Sequence, residues 1–404
     1  MKVLMFGWEF PPNNRGGLGT ACYGLTKGLA KNNVDITFVL PKKNSQHDHI
    51  NLIVTDELQI ENKKMKNIYV DSFLAAYSTE DEYKISLASY KKMLQGNGKE
   101  GDVYGKNLKE EVHRYAEKAK IIADFEDFDV IHCHDWMTYL AGINAKKKSG
   151  KPLVCHIHAT TFDRTGGNVN QYVYEIEKKG MEAADKVIAV SNYTKDVVVT
   201  KYGIPEEKVL VVHNGIEFEN KVSSKIKDDD KIVLFLGRLT IQKGPDYFLD
   251  TARKVLEHIP NTKFVVAGTG DMYGRMIHRA AELGIGNKVL FTGHLKGNDV
   301  DKAYQMADLY VMPSVSEPFG ITPLESLKNN TPVVISKTSG VSEVLPNSLK
   351  VDFWDTDEMT NKIVSVLHYN NLHSALVENG QEDVKRLSWV SAARKTKQVY
   401  ESVM

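Results

Sequence analysis

Cysteine is scarce. Cys22, Cys133 and Cys155 are the only three in 404 residues, widely spaced and without a C-x-x-C pair. Such a set excludes a disulfide scaffold and a cysteine zinc site, and points to a reducing compartment, the cytoplasm. Net charge is missing as well: 52 Lys+Arg stand against 52 Asp+Glu. Without a positive field the sequence offers no nucleic-acid partner and no polybasic membrane surface. No run reaches the roughly 18 apolar residues of a membrane span, so stable membrane insertion is not expected. At the N-terminus, Lys2 and a short apolar run are soon followed by Glu9, Pro11 and Pro12. That is too short for a signal-peptide core and fits a buried first strand.

What is present is ordinary for a globular protein: 42% apolar and 26% charged residues. At roughly 150 residues per domain, the length predicts two sizeable domains. Short apolar runs alternate with amphipathic segments along most of the chain. In the first half they are Val3–Phe6, Ile36–Leu40, Ile50–Val54, Val130–Cys133, Leu153–His158, Val187–Val190 and Val209–Val212. In the second they are Ile232–Leu236, Phe264–Ala267, Val289–Thr292, Leu309–Met312 and Val333–Ile335. Several are apolar almost throughout, as parallel strands covered on both faces must be. Ala21, Leu25 and Leu29, and Phe248, Ala252, Val255, Leu256 and Ile259, keep helical spacing between them. The alternation predicts a doubly wound α/β fold. It pauses over the polar stretch 217–230, which marks a domain boundary and places a ligand cleft between two facing sheets. Residues 72–125 depart from the alternation with two helical patterns, Tyr83–Leu94 and Leu108–Ile122, separated by Gly96-Asn97-Gly98. They fit an elaborated crossover packed on the first domain, or a lid or acceptor platform.

Four groups of residues could carry chemistry. Gly16, Gly17 and Gly19 lie between the first strand and a helix, where backbone amides can approach an anion. Their spacing is not the dinucleotide G-x-G-x-x-G, which argues against a nicotinamide cofactor. Arg238 and Lys243 follow the first strand of the second half; a guanidinium fork and a point charge there suit a diphosphate. Glu317 and Glu325 follow the strand at 309–312 and flank Gly320. Thr322-Pro323-Leu324-Glu325 also has the form of a capping box, in which Glu325 would fold back on its own helix. Finally, His132/His134 and His156/His158 are i, i+2 pairs at strand ends, each pair on one strand face. A metal needs three or four ligands and a second shell, and nothing in the sequence brings the pairs together. Hydrogen-bonding or core histidines, and no metal, are the expectation.

Taken in order, these residues resemble the retaining glycosyltransferases of the GT-B fold, in the GT4/GT5 group that includes glycogen and starch synthases. The resemblance spans nearly the whole chain. It rests on G-G-L at Gly16–Leu18, H-x-H-D-W at His132–Trp136 and H-N-G-I at His213–Ile216. To these are added R-x4-K at Arg238/Lys243, E-x7-E at Glu317/Glu325 and the closing Leu387-Ser388-Trp389. It implies two facing Rossmann-like domains around a cleft: an acceptor-side domain over 1–215 and a donor domain over 216–388. A last helix, 389–404, would cross back to the first domain, anchored by Trp389. It implies that Arg238 and Lys243 hold the donor diphosphate, with amides of the Gly16-Gly17 turn, Gly320, Ile321 and Thr322 assisting. Glu317 would bind sugar hydroxyls, Glu325 the ribose, and His158 the transferred sugar near its 6-hydroxyl. Asp135 would lie near the acceptor, and Asn214 would line the sugar pocket. The implied reaction moves glucose from ADP- or UDP-glucose to the 4-hydroxyl of an α-1,4-glucan, without metal or other cofactor. The same-class alternative is another acceptor: a cell-surface polysaccharide, a lipid-linked sugar or an osmolyte. A non-catalytic sugar-binding protein on the same scaffold is the reading from a different class. Where bacterial glycogen synthases usually read K-T-G-G-L, this chain has Asn14 and Arg15 before the glycines.

Overall fold

The computed structural model describes residues 1–12, 16–41, 47–55, 108–217 and 230–404. Asn14, Arg15, the Tyr83–Leu94 helical pattern and most of the proposed boundary at 217–230 lie outside the described residues.

Among the described residues the strands form two all-parallel sheets. The first contains β1 (Lys2–Phe6), β2 (Asp35–Leu40), β3 (Asn51–Val54), β4 (Val130–His134), β5 (Leu153–Ile157), β6 (Lys186–Ala189) and β7 (Val209–Val211). Their spatial order is β3-β2-β1-β4-β5-β6-β7. The second contains β8 (Lys231–Leu236), β9 (Thr262–Ala267), β10 (Val289–Gly293), β11 (Leu309–Met312), β12 (Val333–Ser336) and β13 (Leu349–Val351), in the order β10-β9-β8-β11-β12-β13. Each apolar run noted in the sequence falls on a strand. The short edge strand β13 was not anticipated, because its Leu-Lys-Val is only partly buried and shows no continuous apolar signal.

Both sheets reverse their winding once, between β1 and β4 and between β8 and β11. Loops leaving the carboxyl ends of these neighbours diverge, which opens a crevice for ligand. The glycine turn, the His134-Asp135 corner, Arg238 and the Glu317 loop all leave those four strands.

The pattern at 108–125 is a helix, Leu108–Phe125, whose Val112, Tyr115, Ala119 and Ile122 enter the first core. The last helix, Trp389–Glu401, packs on the Gly17–Lys31 helix and contributes Trp389, Ala392, Ala393, Val399 and Tyr400 to that same core. Gly24 allows the contact, since a Cβ there would lie 2.2 Å from the Trp389 ring. The first and last segments of the chain are thus fastened together.

Candidate active site

In the second lobe, β8 ends at Leu236 and the chain turns through Arg238 into a short helical turn, Ile241–Lys243. Gly244 has φ +63°, and a Cβ there would meet the Pro313 carbonyl oxygen at 2.2 Å. This close approach presses the turn against the loop that follows β11. Val315 N–H donates to the Gln242 carbonyl at 2.9 Å, and Arg238 Nη2 donates to Gln242 Oε1 at 3.3 Å. Lys243 Nζ is thereby brought onto Glu317 Oε2, to which Ser314 also donates at 3.3 Å. Gly320, at φ +100°, lets the loop fold over the Glu317 side chain. Arg238, Lys243, Glu317 and Gly320 therefore meet at the β8/β11 crevice.

Ile321 and Thr322 follow directly, and Thr322 accepts a hydrogen bond from the Tyr310 hydroxyl at 2.8 Å. Glu325 lies one turn into the Thr322–Lys328 helix. The capping-box reading fails here, because no side chain caps this helix. Instead Glu325 Oε2 accepts from the Tyr304 hydroxyl at 3.1 Å, and burial raises its pKa above the ordinary carboxylate value. The Thr322 hydroxyl is spent on the core, so the reciprocal pair cannot form.

In the first lobe, Gly16 is the N-cap of the Gly17–Lys31 helix, in extended backbone. Gly17 is exposed, and a Cβ there would meet nothing within 4 Å. Asp135 stands at the carboxyl end of β4 with φ 59° and ψ 169°, a region costing a non-glycine residue roughly 1–3 kcal/mol. What holds it there is visible in its bonds. Oδ1 accepts from the backbone N–H of His158 at 2.7 Å and of Ala159 at 3.3 Å, and Oδ2 accepts from Arg164 at 3.1 Å. Arg164 in turn reaches Glu177 at 2.9 Å and the Ala159 carbonyl at 2.7 Å. The carboxylate of Asp135 thus fixes the loop that carries His158, and together with Trp8, Leu18, Trp136 and Arg164 it lines a small recess. Asn214 is buried in the connection after β7.

Arg164, Asp163 and Glu177 escaped the sequence reading. The available signal was Thr160-Thr161-Phe162-Asp163, a capping box just after β5. There Asp163 Oδ2 accepts from the Thr160 N–H at 2.7 Å and the Thr160 hydroxyl at 2.8 Å.

The histidine pairs do come together. β4 and β5 are neighbours with His134 opposite His156, so all four imidazoles share one face, with ring centroids 4.3–5.4 Å apart along the stack. The sheet supplies the alignment that spacing alone left open. Burial holds every one of these rings below its usual pKa, His132 at about 3.

Comparison with known proteins follows this geometry. Residues 102–220 match the family model "Glycosyltransferase Family 4", and residues 217–383 match "Glycosyl transferases group 1". An uncharacterized glycosyltransferase of Methanocaldococcus jannaschii is 32% identical over 425 residues, covering 100% of this chain and 99% of its own. The chain is a family 4 glycosyltransferase. The glycogen synthase of Mycobacterium tuberculosis is 24% identical to it over 355 residues, 86% of this chain and 80% of that one. Among solved structures, sucrose-phosphate synthase from Thermosynechococcus elongatus superposes with TM-score 0.77 at 18% identity, covering 99% and 98% of the two chains. The Anabaena protein HepE in complex with UDP-glucose gives TM-score 0.69 at 17% identity over the full length of both. The two-sheet architecture of the glycosyltransferase is the GT-B fold.

Its lobes touch beside the Glu317 loop. Asp163 Oδ1 accepts from Ser316, next to Glu317, at 2.5 Å, and the Tyr193 hydroxyl bonds Ser316 at 2.9 Å. Ser191 and Thr194 donate to the Pro318 carbonyl at 2.5 and 3.2 Å. Glu343 accepts from the amides of Asn192 and Tyr193 and from His213. Burial opposes its ionisation, yet these bonds keep its pKa below the ordinary value. Among the described residues, no helix of the glycosyltransferase is long and apolar enough to cross a membrane.

Proposed function

We propose that the glycosyltransferase moves glucose from ADP- or UDP-glucose to the 4-hydroxyl of an α-1,4-glucan, with the anomeric configuration retained. The observation that carries this reading is the pairing of Lys243 with Glu317 at the β8/β11 crevice, with Arg238 bonded to the adjacent Gln242. The likeness to a glycogen synthase and to a structure holding UDP-glucose supports the choice of donor and acceptor class.

In this reading the donor diphosphate lies across Arg238 and Lys243, and its charge displaces Glu317 from the lysine. Glu317 is then free to accept hydrogen bonds from the sugar hydroxyls. Glu325 takes the ribose, and the amides of Gly17, Gly320, Ile321 and Thr322 face the phosphates. His158, held by Asp135 through its backbone N–H, meets the sugar near its 6-hydroxyl, with Asn214 alongside. The anomeric carbon–oxygen bond breaks with its electron pair passing to the diphosphate. The acceptor 4-hydroxyl attacks from the same face and gives its proton to the departing phosphate oxygen. Charge on that phosphate grows along the way, and preorganised cations stabilise it more than the ground state. Two fixed cations do this without a metal ion at the diphosphate.

The test is a donor-by-acceptor screen: ADP-, UDP- and GDP-glucose against glycogen, maltooligosaccharides and a lipid extract. Nucleotide release is followed with and without EDTA, and product configuration by NMR. Transfer from ADP- or UDP-glucose to glycogen with an α-linked product, insensitive to EDTA, is the expected result. Turnover only with the lipid extract would replace the glucan acceptor, and a β-linked product would overturn retention.

A further inference from the structure

The transfer leaves the stacked histidines on β4 and β5 unexplained. Five of their ring nitrogens are buried without a hydrogen-bond partner: Nε2 of His132, Nε2 of His134, both nitrogens of His156, and Nδ1 of His158. Buried polar atoms are normally paired, so five unpaired nitrogens in one place call for a ligand. The remaining nitrogens are spoken for. His132 Nδ1 bonds the Tyr400 hydroxyl at 2.6 Å, and His134 Nδ1 bonds His158 Nε2 at 2.9 Å.

His132 and His134 show the pattern of metal-binding histidines, one nitrogen free toward an ion and the other anchored by an outer partner, while His156 has both nitrogens free. One nitrogen each from His132, His134 and His156 lies within 4.8 Å of the other two. Three atoms so placed share a point no more than about 2.8 Å from each, against a Zn–N bond of about 2.0–2.1 Å. Small ring rotations close the gap. Imidazole sets of this kind suit zinc and its late first-row neighbours over magnesium or calcium. Cys22, on the Gly17–Lys31 helix, comes equally close to His134 and His158 and belongs to that neighbouring trio.

We propose that His132, His134 and His156 form a structural site for a late transition-metal ion such as Zn²⁺, buried beneath the cleft. It ties β4 to β5 and, through Tyr400, to the last helix. The ion takes no part in glucosyl transfer, and the site stands whether or not the glucan reading holds.

The full-length protein is unfolded with chelator, refolded metal-free and titrated with Zn²⁺, reading bound metal by mass spectrometry and Tm by calorimetry. Binding of about one equivalent per chain with a higher Tm is expected. Co²⁺ in its place should give the intense visible bands of a four-coordinate ion. His156→Ala should lose the bound metal and the Zn²⁺ dependence of Tm, whereas His258→Ala, on an exposed helix face, should keep both. A wild-type protein that retains no zinc and shows no Zn²⁺-dependent Tm overturns the proposal. So does a folded His156→Ala that binds zinc as the wild type does. If His156→Ala fails to fold, the wild-type titration and Co²⁺ spectrum decide alone.

Discussion

At the scale of single residues, the cation proposed to hold the donor diphosphate is already paired. Lys243 is paired with Glu317, and Arg238 leans on Gln242. Removing one preorganised donor to a developing charge typically costs about 2.7–4 kcal/mol. Arg238→Ala or Lys243→Ala should therefore lower kcat by on the order of 100-fold or more. Because both side chains are partly exposed, Tm should hardly move; steady-state kinetics and calorimetry check both halves of the statement. Glu325 makes a different prediction. With no cap to complete, its carboxylate accepts from the Tyr304 hydroxyl. If Glu325 holds the ribose as proposed, Glu325→Gln replaces a charge-assisted acceptor by a neutral amide, about half as strong. Donor KM should rise several-fold while kcat and Tm stay close to wild type, since the ribose is remote from the breaking bond. An unchanged donor KM would take Glu325 out of the donor site.

At the scale of elements, the Gln171–Ala183 helix is bound to the His158 loop through Glu177. This carboxyl accepts from Thr161 N–H at 3.1 Å, from Arg164 and from the Tyr202 hydroxyl. Burial, opposed by Arg164, pushes its pKa up to about 7. The folded protein then holds a proton that the unfolded chain releases at about 4.5. Stability from this group is complete below the lower value and is lost as pH rises through the upper one. Glu177→Gln cannot titrate. The urea midpoint of wild type should fall relative to Glu177→Gln between about pH 5 and about pH 8, and a constant difference across that range would contradict the assignment. The last helix offers a second test. Trp389 is buried against Gly24, and truncating such an aromatic costs roughly 3–5 kcal/mol. Trp389→Ala should lower the Tm of the first lobe and expose the Trp389–Glu401 helix to early proteolysis.

At the scale of the whole molecule, the lobes meet through a few tight contacts beside the Glu317 loop. Gly340 is one such contact, since a Cβ there would lie 2.4 Å from Ser191 Cβ across the lobes and 2.2 Å from the Pro318 carbonyl oxygen of its own lobe. Gly340→Ala should wedge the lobes apart, raise the radius of gyration in solution scattering, and lower kcat/KM by on the order of 10–100-fold through misplacement of the two half-sites. Unchanged scattering and turnover would show that the contact does not set the lobe geometry. Hinge closure of such lobes on a ligand is a common device, and Ser316, bonded to Asp163 and adjacent to Glu317, is placed to couple closure to the proposed donor site.

Much of this was legible in the chain itself. Nearly continuous apolar runs such as Val3–Phe6 and Val333–Ile335 fit parallel strands covered on both faces, so the α/β class and most strand positions follow from local composition. Chemistry tied to one loop was legible for the same reason: Arg238 and Lys243 sit within a single βα turn, and Gly320 within a few residues of Glu317. What tertiary structure alone decided were relations across distance. No spacing tells that Thr322 spends its hydroxyl on Tyr310 and leaves Glu325 to Tyr304, or that Asp135 is clamped by Arg164. Nor does the chain reveal that β4 and β5 are neighbours in register. That pairing arises from the order in which parallel strands are added to the sheet, and it alone turns two unremarkable His-x-His pairs into one buried stack against Tyr400.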